Sequence, residues 1–327
     1  MAEDKKLLSL IVPVYFEEAV IEAFYRRVLL DLLPISPEFE LEFIFVNDGS
    51  KDQSLQILLD LRQRDPRIKI LHFSRNFGHQ TAVTAGVDHA LGDVVAIIDA
   101  DLQDPPHVIL NMLAKWREGF KVVYGVRGER KGESHFKLLT AKLFYRLLSS
   151  LSDVKIPLDT GDFRLMDRTV VEALRGLREE SRYIRGMVSW LGFQQCGVEY
   201  SRDPRFAGES NYPLRKMIRF ALNGITSFSE KPLVFSAWFG GAVTCLGFLF
   251  MGWVIIGKFR HPAQSVDGWT SLISVILFFG GIQLLSLGIL GQYIGRVYRE
   301  VKRRPLYVLE KAWGVDCEPY SGSAGRP

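Results

Sequence analysis

Residues 93–106, DVVAIIDADLQDPP, carry an apolar strand directly into two carboxylates one residue apart, Asp99 and Asp101. Side chains alternate along a strand, so the pair is expected to point the same way where the chain leaves the sheet, with Gln103 adding a third oxygen close by. Hard oxygen donors in this pattern favour magnesium or manganese, ions that complete their shell with water and phosphate oxygens. Acidic residues after a buried strand also serve as solvated turn formers, so the spacing decides nothing without its surroundings.

The surroundings repeat the same design. Strand-like runs fall at 8–15 (LSLIVPVY), 41–48 (LEFIFVND), 68–74 (IKILHFS), 93–100 and 121–127 (KVVYGVR), and helical stretches at about 17–33, 51–65, 79–91 and 106–118. Fully apolar strands separated by helices predict an α/β fold with a mostly parallel sheet covered on both faces. Ligands in such sheets sit outside the carboxyl ends of the strands. The chemically informative residues fall at those ends: Pro13, Tyr15 and Glu17, then Asn47 to Ser50, then Arg75 to His79, then the acidic pair.

Each has a chemical and a structural reading. Asp48 can accept hydrogen bonds from a base or ribose, and Gly49 permits a turn that a side chain resists; alternatively Ser50 or Asp52 simply caps the next helix. Glu17 fits a first-turn acid placed by the helix dipole. Gly78 and His79 can let backbone approach a ligand, although a lone histidine at a helix start is more often structural.

The chain has 327 residues, 47% of them apolar, enough for one large domain and something smaller. Residues 232–257 and 268–295 carry no charge, and each exceeds the about 20 residues that cross a hydrocarbon core. Lys231 precedes the first run and Arg296, Arg299, Lys302, Arg303 and Arg304 follow the second, against only Lys258 and Arg260 between them, which predicts both chain ends on the cytoplasmic side. The apolar run at the start is broken by Pro13 and followed by acids, so it reads as neither signal peptide nor span. Three scattered cysteines, Cys196, Cys245 and Cys317, show no metal-ligand spacing. A net charge of +4, with basic residues gathered beside the apolar runs, points to anionic lipid and away from nucleic acid.

The ordered set IVPVYFEE (11–18), FVNDGSKD (45–52), SRNFGHQTAVTAG (74–86), IDADLQDPP (98–106), TGDFRLMDR (160–168) and RFAGES (205–210), followed by two apolar runs, resembles the family 2 glycosyltransferases. Within them it is most similar to the polyprenyl-phosphate glycosyltransferases, the bactoprenol glucosyltransferases and dolichyl-phosphate mannose synthase among them. The likeness spans residues 8 to about 313. It implies a GT-A, Rossmann-like catalytic domain, a Mg2+ or Mn2+ ion, and inverting transfer of one sugar from a nucleotide-diphosphate sugar to a polyprenyl phosphate, with UDP-glucose the preferred donor and GDP-mannose or another UDP-sugar the alternatives. Position by position, Asp99, Asp101 and Gln103 would meet the metal and diphosphate, and Pro13, Tyr15, Glu17 and Asp48 the nucleoside. Ser50, Gly78 and Ala100 join the nucleotide-binding set, and Arg127 resembles an arginine near the phosphates. Arg205 and Ser210 resemble residues of a loop closing over donor and lipid phosphate. Two departures stand out: Asn47 where relatives often have aspartate, and Asn211 where they often have lysine, with Arg215 and Lys216 as nearby cations.

A lipid phosphate has a second pKa of about 6, so it is largely dianionic at neutral pH and a general base is helpful at most. Asp159 and Asp162 are the candidates to orient the acceptor or take a proton, with a structural capping role equally open. Residues 134–151 place Phe136, Leu139, Leu143, Leu147 and Leu151 on one face, fitting either a helix in the membrane surface or one packed on the core. Gly291 and Gly295, with Gly280 and Gly281, invite helix association and hence a homo-oligomer. The expected organisation is a cytosolic catalytic domain at 1–206, an acceptor loop and juxtamembrane helix at 207–231, two spans within 232–296 and a cytosolic basic tail at 297–327, the whole integral to the cytoplasmic membrane. A processive polysaccharide synthase would carry a Q-x-x-R-W motif and further spans, and a non-catalytic scaffold would not need the acidic set.

Overall fold

The computed structural model describes residues 5–128, 160–180, 182–202, 233–234, 238–243, 245–247, 249–250, 253 and 269–315. The chain divides into two units, Met1–Arg146 with Val154–Pro213 and Pro305–Pro327, and Leu147–Asp153 with Leu214–Arg304.

In the first unit β1 (Lys6–Val14), β2 (Phe39–Asn47), β3 (Ile68–Phe73) and β4 (Val94–Ile97) alternate with α1 (Ile21–Asp31), α2 (Ser54–Arg64) and α3 (His79–His89). Then come α4 (Val108–Arg117), β5 (Val122–Arg127), β6 (Thr160–Asp167), α5 (Arg168–Gly176), α6 (Ile184–Trp190), β7 (Gln195–Tyr200) and, much later, β8 (Leu309–Trp313). The strands form one sheet in the order β7-β5-β6-β4-β1-β2-β3-β8. β1 runs parallel to β2 and β4, β2 to β3, and β5 to β7. β6 lies antiparallel between β4 and β5, and β8 antiparallel to β3.

The apolar strands are buried because helices cover them. Leu8, Leu10 and Val12 of β1 pack in one core with Phe24 of α1 and Phe43 and Phe45 of β2. Phe43 and Phe45 stack at 6.3 Å, and truncating such a buried ring to alanine costs about 3–5 kcal/mol. On α3, a Cβ at Gly86 would run into the Ile11 side chain, so the missing side chain lets α3 sit close on β1. That seating places the start of α3, and His79 with it, at the carboxyl ends of the central strands.

Three features depart from the sequence expectations. β4 ends at Ile97, so Asp99 and Asp101 lie in the turn beyond the strand; their placement comes from that turn, with Leu102 at φ 58°, and not from strand alternation. The TGDFRLMD stretch, read as a site motif, is also the fully buried strand β6, hidden from a hydropathy reading by Asp162, Arg164 and Asp167. The expected basic tail is not separate: Leu309–Trp313 re-enters the main sheet as β8.

In the second unit α7 is Trp238–Gly247 and α8 is Trp269–Lys302. The 34 residues of α8 make a rod about 51 Å long at 1.5 Å per residue. Its Phe278–Lys302 portion is, among the described residues, the one helix long and apolar enough to cross a membrane. A Cβ on Gly247 would stand 3.3 Å from the Phe279 ring, so α7 and α8 touch there. Most of the first expected span, the 134–151 helix, the 207–231 segment, Asp159, Arg205, Ser210, Asn211, Arg215 and Lys216 lie outside the described residues.

Candidate active site

Strand direction gathers the site. The carboxyl ends of β1, β2, β3 and β4 share one edge of the sheet. β6 runs the opposite way, with Ile97 opposite Arg164, so its first residues, Thr160 to Asp162, reach beyond the end of β4 towards that edge. Val126 pairs with Thr160 and Arg127 with Tyr200, which brings the ends of β5 and β7 there too.

On one side lie the turns after β1, β2 and β3. Asp48 is buried, and its carboxylate accepts the backbone N–H groups of Phe77 (2.6 Å) and Gly78 (2.9 Å) and the Asn76 side-chain amide (2.9 Å). Burial pushes its pKa up, against the pull of the Phe77 and Gly78 bonds. Asp48 therefore fixes the loop between β3 and α3. Gly49 sits at φ 68°, and a Cβ there would fall 2.5 Å from the Arg75 carbonyl carbon, so the two turns interlock through a position only glycine fills. Ser50 Oγ accepts the Phe16 N–H at 3.1 Å, and Phe16 itself has φ 57°. This strained turn leaves Tyr15 nearly half exposed and edge-on to Phe16 at 4.5 Å, an aromatic surface at the mouth of the site. Pro13 and Glu17 are half-buried beside it, the Glu17 carbonyl starting α1.

On the other side four carboxylates converge. Asp101 Oδ1 accepts the Gln103 N–H at 3.1 Å, closing the acidic turn, while Ala100 is buried in the core and offers only backbone. Asp104 is fully buried; one oxygen accepts the Tyr200 hydroxyl and lies 3.4 Å from Arg202, and the other has no hydrogen-bond partner among the described residues. Asp162 is held by His79 (3.1 Å), Gln80 (2.9 Å) and Arg185 (2.8 Å), and His79 Nε2 stands 3.8 Å from Asp99. The Arg127 guanidinium lies against Gly161, its Nε buried without a partner among the described residues.

The charges are unevenly distributed. Burial, with Asp104, Asp162 and Asp101 adding to it and His79 pulling against it, brings Asp99 up to about 6, a shift tempered by solvent because 31% of its side chain is exposed. Burial works against a charged His79, yet its bond to Asp162 and the fields of Asp99 and Asp162 carry it to about 9, a pull tempered by solvent because 41% of its side chain is exposed. Asp162 feels the same burial but is held well below the carboxylate range by His79 and Arg185. A carboxylate so firmly ionised is a weak proton acceptor. Arg164, buried under the cluster and donating to the Gly161 and Asp162 carbonyls, is lowered to about 10 by burial.

Hard carboxylate oxygens crowded around Asp99 suit a divalent cation, and the residues present fit one: Asp99 and Asp101 would hold it, with Gln103 beside them. Among the described residues no group of three His, Cys, Asp or Glu side chains could hold a metal ion by itself.

Of the residues expected from the sequence, Pro13, Tyr15, Glu17, Asp48, Ser50, Gly78, Asp99, Ala100, Asp101, Gln103, Arg127 and Asp162 lie around this end of the sheet, Ser50 and Ala100 in supporting positions. The sequence pattern does not single out Gln80, Asp104, Arg185 or Tyr200, and a lone histidine at a helix start reads first as structural. Gln80 and Asp104 stood inside the quoted motifs; Arg185 and Tyr200 carried no signal, because only the fold brings them in.

Residues 9–175 match the family described as glycosyl transferase family 2. The chain belongs to that family. It is 52% identical over 308 residues, 94% of each chain, to a Bacillus subtilis protein named uncharacterized glycosyltransferase YkcC. It is 44% identical over 307 residues, 93% of this chain and 98% of the other, to the SfII prophage-derived bactoprenol glucosyl transferase of Shigella flexneri. A prophage bactoprenol glucosyl transferase homolog of Escherichia coli is 41% identical over 304 residues, again 93% and 98%. The mixed sheet with its acidic turn after β4 is the GT-A-like α/β fold of a family 2 glycosyltransferase.

Proposed function

We propose that this enzyme transfers glucose from UDP-glucose to a polyprenyl phosphate at the cytoplasmic face of the membrane, with inversion at the anomeric carbon. The carrying observation is the crowding of Asp101, Asp104 and Asp162 around Asp99 beyond the end of β4, hard oxygens that suit a cation and, through it, a diphosphate. The acceptor and the sugar rest on the full-length likeness to proteins named bactoprenol glucosyl transferases.

Tyr15 offers an exposed ring for the base, and Asp48 holds the loop that frames it. Asp99, Asp101 and Gln103 would hold Mg2+ or Mn2+, which would supply positive charge for the departing diphosphate. Arg127, whose Nε has no partner among the described residues and whose guanidinium lies against Gly161, adds a second positive group for the same oxygens. The acceptor phosphate is already dianionic, so no residue has to ionise it. Asp162, saturated by donors, serves to orient rather than to take a proton; Asp159 stays with it as a candidate for contact with the acceptor, and Arg205 and Ser210 belong to the loop that closes over both substrates. The catalytic unit and both chain ends are cytoplasmic, and residues 232–257 and 268–295 form a two-span hairpin. The length of α8 and the contact of Gly247 with Phe279 support that reading.

The test is to incubate the purified full chain in lipid nanodiscs with short polyprenyl phosphate and labelled UDP-glucose, UDP-galactose, UDP-N-acetylglucosamine or GDP-mannose. Lipid-extractable label from UDP-glucose supports the proposal. Label from a different donor alone replaces the sugar, and label from none removes the transferase-to-lipid reading.

A further inference from the structure

Asp162 is the most heavily bonded group of the site, and the bonds come from elements with no other reason to meet. Its Oδ1 accepts Arg185 Nε at 2.8 Å, and its Oδ2 accepts Gln80 Nε2 at 2.9 Å and faces His79 Nε2 at 3.1 Å. Arg185 Nη2 leans on the same Oδ2 at 3.4 Å while Nη1 donates to the Thr160 carbonyl at 2.7 Å, so one planar guanidinium spans the first turn-facing residues of β6. Gln80 is bifunctional. Its Oε1 accepts the Ile184 N–H at 2.9 Å, an otherwise orphaned donor at the start of α6, which fixes the amide orientation and turns Nε2 towards Asp162.

We propose that Arg185 and Gln80 are positioning residues for the transfer reaction: together they lock the Asp162 carboxylate, and through it the His79 imidazole, beside Asp99. A carboxylate has about four acceptor sites on two oxygens, and donors from α3 and α6 take them. With Asp162 unable to rotate, His79 Nε2 is held between Asp162 and Asp99, 3.1 and 3.8 Å away. The consequence is a fixed imidazole facing Asp99 before substrate arrives, so the cost of ordering it is not met during the reaction. Neither residue touches substrate; both act through Asp162. The proposal rests on the glycosyltransferase reading of the acidic cluster.

Two variants separate positioning from folding. Gln80→Glu keeps an acceptor for the Ile184 N–H but replaces the donor to Asp162 with a like charge. Arg185→Ala removes the guanidinium, and small guanidinium ions added at low-millimolar concentration can refill its place. Both are expected to lower kcat by roughly 10²-fold, the scale of a 1 Å misplacement at reacting atoms. Donor KM, UDP affinity by calorimetry and melting temperature should stay near wild type, Arg185→Lys should recover part of the rate, and guanidinium should rescue Arg185→Ala alone. An unchanged kcat in Gln80→Glu, or a loss in Arg185→Ala that follows melting temperature and resists rescue, overturns the proposal. If wild type transfers no sugar to lipid, the functional reading has failed, and positioning is then read from the His79 ring resonance of histidine-labelled protein. A shift of that resonance in both variants sustains the lock, and no shift removes it.

Discussion

Two aspartates at opposite ends of β4 have opposite fates. Asp167, opposite Val94 at the start of the strand, has every acceptor site filled: Thr169 N–H (3.0 Å) and hydroxyl (2.7 Å), Trp116 Nε1 (2.8 Å) and Lys121 Nζ (3.1 Å). Burial raises its pKa, but these donors outweigh burial and bring it down to about 2. Asp99, just past the other end, has three acids for neighbours and one histidine, and stands at about 6. Nearby, Glu42 shows the same completeness as Asp167: it is buried with Lys69, the Ser9 hydroxyl and the Leu91 N–H. A fold left to optimise stability would neutralise Asp99 as it neutralises Asp167 and Glu42. The imbalance at one end alone is the physical mark of a site completed by something from outside.

The sharpest way to break the contrast is to remove a charge at each end. Asp101→Asn should cut sugar transfer by about 10³-fold and, in Mn2+ titrations followed by electron paramagnetic resonance, abolish nucleotide-dependent metal binding. Its melting temperature should hold or rise, because the substitution relieves repulsion. A normal rate would sever the acidic turn from catalysis. Lys69→Met at the opposite end should do the reverse. It strands the Glu42 carboxylate, and because 16% of the Lys69 side chain reaches solvent, the cost should be about 3 kcal/mol, the low end for a broken buried pair. Chemical denaturation of the detergent-solubilised protein would measure it, with kcat of the folded fraction unchanged.

The pH dependence separates the ends as well. The folded pKa of Asp167 lies below its ordinary carboxylate value, so its stabilisation is complete above about pH 4 and disappears as pH falls through about 2. Asp167→Asn should therefore cost about 2 kcal/mol at neutral pH, and the gap to wild type should close as the acid limb is descended. A gap independent of pH would mean that packing of Trp116, and not the charge, carries the effect.

These contrasts also explain what the sequence disclosed. The four strands from β1 to β4 and the helices between them were legible because each strand is a continuous apolar run ending in a turn signal, and the acidic pair was legible because it ends such a run. β6 and β8 were not, because LEKAW has two charges in five residues and TGDFRLMD three in eight, charges that are neutralised only by partners distant in sequence. The residues around Asp162 failed for the same reason: Gln80 lies 82 positions away and Arg185 another 23 beyond Asp162, and no local pattern marks either. Periodicity reports which face is buried, whereas a polar site built from several elements leaves no periodic trace.

A third carboxylate lies between the extremes and offers the smallest test. Asp88, near the end of α3, pairs with Arg178 at 2.8 Å and accepts the Tyr307 hydroxyl at 2.9 Å, while its other oxygen has no partner among the described residues. Tyr307 comes from the segment that leads into β8, and its ring stacks on Phe73 at 5.3 Å beside the Ser74 N–H bond to the Val308 carbonyl. Tyr307→Phe keeps the stack and removes one hydrogen bond to a group that retains its arginine, so the loss should be about 1–2 kcal/mol, seen as a drop of a few degrees in melting temperature. Tyr307→Ala removes the stack too and should cost more, loosening β8 from β3 and raising amide exchange along Leu309–Trp313. If both substitutions cost the same, the ring contributes nothing and the hydroxyl alone secures the segment; if Tyr307→Phe is silent, Arg178 satisfies Asp88 by itself, and the β8 ladder holds the returning chain without a polar anchor.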